Sequence, residues 1–128
     1  GAINPVSSKP ILAVDSDATV LMFVSTLLRQ KGHHVLEAKS GAKALEILNM
    51  FPTQIHFLIV DVNMEPVNGH EVAENVRKKH PAVRTLYMAN NAAARELVRE
   101  DVREKKAGLL PKPFTPANFL KSVDATFK

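Results

Sequence analysis

Phe57-Leu58-Ile59-Val60-Asp61 is an unbroken apolar run ending on a carboxylate, and Ile11-Leu12-Ala13-Val14-Asp15 repeats the pattern near the start of the chain. Short apolar runs bounded by polar residues read as strands buried on both faces of a parallel sheet. In open parallel sheets the ligand crevice lies beyond the carboxyl ends of the strands, so Asp15, Asp17 and Asp61 are expected to converge on one surface. Lys112-Pro113-Phe114 follows the last apolar run and brings a cation to the same end. Carboxylates and a lysine so placed suit a phosphoryl group and a divalent metal.

Working outward, Val20, Phe23, Val24, Leu27 and Leu28 recur at helical spacing, and Lys31-Gly32 supplies a cation and a glycine stop, which predicts a helix over 18–31. Val35-Leu36-Glu37-Ala38 reads as a second strand. Ser40 then caps a helix carrying Ala44, Leu45 and Leu48, closed by Pro52. After the Asp61 strand, Pro66-Val67-Asn68-Gly69 is a turn, and Val72, Ala73 and Val76 mark a third helix ended by His80-Pro81. Thr85 to Ala89 is a fourth strand, Leu97, Val98 and Val102 a fourth helix, and Gly108-Leu109-Leu110 a brief fifth strand. Thr115-Pro116 sets a cap and first-turn proline for a last helix bearing Phe119, Leu120, Val123 and Phe127. Five strands alternating with five helices imply right-handed crossovers and a doubly wound α/β parallel sheet covered on both faces.

At 128 residues and 45% hydrophobic content the chain fits a single domain, read as residues 9–128. Residues 1–8 read as a linker to something upstream, with Gly1-Ala2 as a cloning remnant. The absence of cysteine excludes disulfides, thiolate metal sites and cysteine nucleophiles. No apolar stretch nears the roughly 18 residues that span a bilayer, and a cytoplasmic location is expected. The net charge of +4 is spread over helices, as in Arg77-Lys78-Lys79, with no recognition-helix pattern, so nucleic-acid binding is not expected.

In its acidic loop Asp15-Ser16-Asp17, its strand Ile59-Val60-Asp61 followed by Asn63-Met64 and Asn68-Gly69, and its Lys112-Pro113-Phe114-Thr115, the chain resembles the receiver domain of two-component signalling from Lys9 to Phe127. The stretches Leu86 to Asn91 and Gly108 to Pro116 also look like receivers at the C-terminal end of hybrid sensor histidine kinases. The resemblance implies a flavodoxin-like (βα)5 sandwich with sheet order 2-1-3-4-5. It also implies phosphoryl transfer to Asp61 from a histidine kinase or phosphotransfer domain. Mg²⁺ is then held by Asp15, Asp61 and the backbone carbonyl of Asn63, with Lys112 beside the phosphate and Lys112-Pro113 a candidate cis peptide. The module accepts phosphate itself and is not otherwise an enzyme.

Several positions depart from that family. Ser16 stands where the family has a second acid, so Mg²⁺ affinity should fall; Asp17 could compensate through a water or simply cap the first helix. Ala89 replaces the Ser or Thr that bonds the phosphoryl oxygen, and Asn90 and Asn91 do not sit at the matching position. Leu109 replaces the switch aromatic. Glu65 replaces the usual proline, with Pro66 one place later. The alternative function is therefore a phosphorylation-independent pseudo-receiver that binds protein.

Asp61 alone could be a helix cap or turn former, and Lys112 alone a surface lysine. His33, His34, His56, His70 and His80 lack metal-ligand spacing and read as surface or turn residues, and Met22, Met50, Met64 and Met88 as packing. The rival enzyme reading is a haloacid-dehalogenase-type phosphatase, because Asp15-Ser16-Asp17-Ala18-Thr19 is similar to that family's first motif. That reading lacks the later acidic motif, where this chain has Ala89-Asn90-Asn91.

Overall fold

The computed structural model describes residues 9–50 and 54–128; the expected linker over 1–8 and the stop at Pro52 lie outside them. The elements run β1 (Pro10–Val14), α1 (Ala18–Gln30), β2 (His34–Ala38), α2 (Gly41–Met50), β3 (Phe57–Asp61), α3 (Gly69–Lys79), β4 (Arg84–Ala89), α4 (Ala92–Leu97), α5 (Arg99–Arg103), β5 (Ala107–Pro111) and α6 (Pro116–Thr126). The strands form one parallel sheet of order β2-β1-β3-β4-β5, as expected for the flavodoxin-like arrangement.

Alternation along each strand feeds two cores. Leu12, Val14, Leu58, Val60, Tyr87 and Ala89 point to the side covered by α2 to α5. Ile11, Ala13, Ile59, Leu86 and Met88 point to the side covered by α1 and α6, where Leu21, Val24, Leu28, Phe119 and Val123 meet them. Residues 11–14 and 58–60 are fully buried, which is why these runs carry no polar alternation. Each large side chain so buried stabilises the fold by roughly 1.5–3 kcal/mol.

The helix ends follow local chemistry. Asp17 caps α1, Asn68 and Glu71 form a reciprocal capping box on α3, and Thr115 caps α6 ahead of Pro116. The C-terminus of α1 closes with Gly32 at φ +89, where Gly32 N–H bonds the Arg29 carbonyl and His33 N–H the Leu28 carbonyl. That is the double bond pattern for which a left-handed glycine is the favoured residue.

Two expectations are corrected. The single fourth helix is two short ones, because Val98 adopts φ −110, ψ 7 and its N–H turns to the Arg95 and Glu96 carbonyls, interrupting the helical ladder. This turns Val98 into the core and leaves Leu97 53% exposed. Met64 and Met88 pack inside, but Met22, off the Leu21-Val24-Leu28 stripe, and Met50, the last residue of α2, are exposed. His80 stands at the turn after α3 as expected, its carbonyl accepting the Val83 N–H at 3.0 Å; its side chain is buried, its Nε2 has no partner among the described residues, and burial lowers its pKa.

Candidate functional site

β1 and β3 are neighbours with Val14 beside Val60, so Asp15 and Asp61 leave the sheet side by side. Asp15 is fully buried and Asp61 is 3% exposed. Each carboxylate spends one oxygen on its own loop: Asp15 Oδ1 accepts the Asp17 N–H at 2.8 Å, and Asp61 Oδ1 accepts the Asn63 N–H at 3.1 Å. The other oxygens face Lys112, whose Nζ lies 2.7 Å from Asp15 Oδ2 and 3.6 Å from Asp61 Oδ2. Lys112 is delivered by β5, its N–H bonding the Ala89 carbonyl at 2.8 Å, and the Lys112-Pro113 peptide is cis as expected. Glu65-Pro66 is also cis.

Gly69 is required beside the site. A Cβ there would overlap the Asp61 carbonyl oxygen and lie 2.8 Å from its carbon, so only glycine lets α3 start this close to the end of β3. The Asn68-Gly69 pair, read as a turn, is thus the α3 cap and its close approach to Asp61.

Burial, and then the neighbouring Asp15, push the Asp61 carboxyl above the usual range, and Lys112 only partly opposes them. Two buried carboxylates thus share one ammonium. This donor set fits a hard divalent ion such as Mg²⁺, which needs one or two carboxylates, a carbonyl and waters and would relieve the uncompensated charge. Among the described residues no third acid or histidine completes a metal-sized cluster. Ser16 is exposed, and the Asp17 carboxylate is taken up by the α1 N-terminus, accepting from Thr19 N–H at 2.9 Å and Val20 N–H at 3.4 Å. Ser16, Asn63 and Glu65 line a cleft that also reaches Asn91 and Leu97.

At the divergent positions, Ala89 is buried at the end of β4, and Leu109 stands in register with Tyr87. The Asn63 side-chain oxygen accepts the Asn90 N–H at 3.0 Å and ties the β3–α3 loop to the β4–α4 loop. Asn91 caps α4 through Ala94 N–H at 2.8 Å, so its oxygen is committed.

One group of residues escaped the sequence. Tyr87 donates its hydroxyl hydrogen to Asp101 Oδ2 at 2.7 Å, and Arg77 donates to both, 3.2 Å to the Tyr87 oxygen and 2.9 Å to Asp101. His70 Nε2 lies 3.6 Å from Asp101 Oδ2, so it turns toward this group instead of standing alone at the surface. Burial pushes the Asp101 carboxyl up, but the bonds from Tyr87 and Arg77 outweigh it and hold the carboxyl below its ordinary range. Burial and the Asp101 bond raise the Tyr87 hydroxyl well above its usual value. The available signal was a tyrosine inside an otherwise apolar strand, since a buried hydroxyl needs a partner.

The response regulator receiver domain family matches residues 11–124. The chain is 32% identical over 124 residues to Sensor kinase CckA of Brucella abortus (strain 2308), covering 94% of this chain and 12% of the kinase. It is 31% identical over 112 residues to a Chemotaxis protein CheY homolog of Campylobacter jejuni subsp. jejuni, covering 83% of this chain and 82% of that protein. The solved response regulator receiver protein from Sinorhizobium medicae WSM419 superposes with a TM-score of 0.78 at 30% identity, over 91% of this chain and 92% of that one. The chain thus spans a small part of the kinase and most of the chemotaxis protein. Because the family match runs from the first strand into the last helix and takes in both carboxylate-bearing strand ends, the chain belongs to the receiver domains of two-component response regulators.

Proposed function

We propose that Asp61 accepts a phosphoryl group from the phosphohistidine of a histidine kinase or phosphotransfer partner, assisted by Lys112 and Mg²⁺. Receiver domains are in general signalling modules and not free-standing enzymes. They work with such partners and bind Mg²⁺ at an acidic pocket. The observation that carries the reading for this chain is the Lys112 ammonium set against two buried carboxylates at adjacent strand ends.

In the transfer, an Asp61 carboxylate oxygen attacks phosphorus, the phosphorus–nitrogen bond breaks, and the imidazole leaves with the electron pair. Asn63 N–H holds one Asp61 oxygen in place, and the oxygen facing Lys112 is the one poised to attack. Lys112 stabilises charge developing on the phosphoryl oxygens. A bound Mg²⁺ would neutralise charge on the incoming group, held by Asp15, Asp61 and the Asn63 carbonyl. Ser16 makes this a weaker metal site than one with two acids in the first loop. The match to a sensor kinase supports placement within a hybrid kinase, and a cytoplasmic setting follows from that role; among the described residues no helix is long and apolar enough to cross a membrane.

Incubation with acetyl phosphate and Mg²⁺ followed by intact-mass measurement tests the proposal. Wild type should gain one phosphoryl group and Asp61→Asn none. Equal labelling of both would move the nucleophile to Asp15, as the phosphatase reading requires.

A further inference from the structure

The edge of the sheet opposite the acidic site carries a groove of about 750 Å³, lined in part by Arg77, Arg84, Thr85, Lys105, Lys106 and Gly108. Lysines at helix C-termini are ordinary complements to the helix dipole. Two features here are not ordinary. Arg84 begins a strand, and among the described residues no carboxylate pairs with it or with Lys105.

Lys105 is the one described non-glycine residue with positive φ, at 61°. It occupies the same place after α5 that Gly32 occupies after α1. Lys105 N–H bonds the Val102 carbonyl at 3.1 Å and Lys106 N–H the Asp101 carbonyl at 2.8 Å. Glycine is favoured at that position, so the lysine is held there against local preference. A residue that stability alone would not choose thus lines the groove beside an arginine that is unpaired among the described residues. Among the described residues Lys106 is engaged only by Glu104 at 3.7 Å, both side chains half exposed, a pairing that an incoming anion readily displaces.

We propose that this groove binds a small phosphate-bearing anion, held by Arg84, Lys105 and Lys106. The ligand is either an inorganic polyphosphate or the phosphate chain of a nucleotide. The site is separate from the acidic cluster and independent of phosphoryl transfer to Asp61.

The test is an amide-shift titration of the whole chain in Mg²⁺-free buffer with inorganic phosphate, pyrophosphate and ATP. Saturable shifts are expected at Thr85, Lys106 and Gly108, and identically in Asp61→Asn, so that failure here and failure of phosphoryl acceptance are distinguishable. Arg84→Ala should weaken pyrophosphate binding about tenfold, the loss of one charge-assisted contact. Lys105→Gly should raise the unfolding midpoint and weaken binding. That loss could then not be blamed on misfolding. ATP binding tighter than pyrophosphate marks the ligand as a nucleotide, and equal binding as a polyphosphate. Shifts that do not saturate, or equal weakening by the remote surface change Arg99→Ala, would overturn the proposal in favour of diffuse attraction to a basic protein.

Discussion

Tyr87 and Asp101, 14 positions apart in sequence, share a buried hydrogen bond of 2.7 Å that joins the middle of β4 to α5. Arg77 brings α3 into the same contact. Three elements on the face flanking Ala89 and Leu109 are thus tied together by polar groups that water cannot easily serve. Tyr87→Phe should cost about 1.5–3 kcal/mol, the range for a bond to a charged group. Asp101→Ala should cost more, because it leaves the partly buried Arg77 without its carboxylate. The sign with pH follows from the depressed Asp101 carboxyl: its stabilisation is present above the ordinary carboxylate pKa and lost as pH falls through the lower folded value. Chemical unfolding at pH 7 and in acid should therefore show the gap between wild type and Asp101→Asn closing as pH falls.

Asp61 behaves in the opposite sense. Its carboxyl is raised by burial and by Asp15, so the folded state prefers it protonated, and that contribution is lost as pH rises through the folded pKa. Asp61→Asn keeps the acceptor for Asn63 N–H and removes the buried charge. It should melt a few degrees higher than wild type at pH 7, roughly the effect of ~1 kcal/mol in a domain of this size. The advantage should vanish below the ordinary carboxylate pKa. A melting difference that is constant from neutral to acid would place the effect elsewhere than in ionisation.

The sheet was legible because strands buried on both faces announce themselves as apolar runs, and strand-end logic alone brought Lys112 to Asp15 across 97 positions. Asp17 as a cap and Pro116 at the start of α6 were legible because capping is local. What stayed hidden depends on tertiary context. The Leu97-Val98-Val102 spacing fits one helix, and the break lies in the non-helical backbone of Val98, which carries its side chain into the core. Met50 cannot be told from a core methionine by type alone, since its exposure follows from standing at a helix end. Tyr87, Asp101 and Arg77 lie on three elements whose contact no local pattern encodes. Lys105 has no glycine to signal its backbone conformation.

Ser16→Asp should strengthen Mg²⁺ binding. The position follows Asp15 and lines the cleft that reaches Asn63 and Glu65, so a carboxylate there adds a charge close to the proposed metal position. One such charge should tighten binding on the order of tenfold, about 1.4 kcal/mol. Calorimetric or fluorescence titration reads this directly. An unchanged affinity would mean that Glu65 already supplies the acid from the other side of the cleft.

Phosphorylation should leave the β4 to β5 face largely as it is. A ligand shifts a conformational equilibrium only through contacts that differ between the states. Ala89 offers no hydroxyl to a phosphoryl group on Asp61, and Leu109 has no ring to change rotamer. Tyr87, in register with Leu109, is already held by Asp101 and Arg77. The contact positioned to respond is Asn90 N–H, now bonded to the Asn63 side chain beside Asp61. Amide exchange with and without beryllofluoride and Mg²⁺ should therefore show a change confined to the loops around Asn63 and Asn90, with residues 92–108 unaltered. Tyr87→Phe should widen the response to α5 by loosening its tie to β4. Strong new protection across 92–108 in wild type, with the mimic confirmed bound, would show that the face switches despite both substitutions.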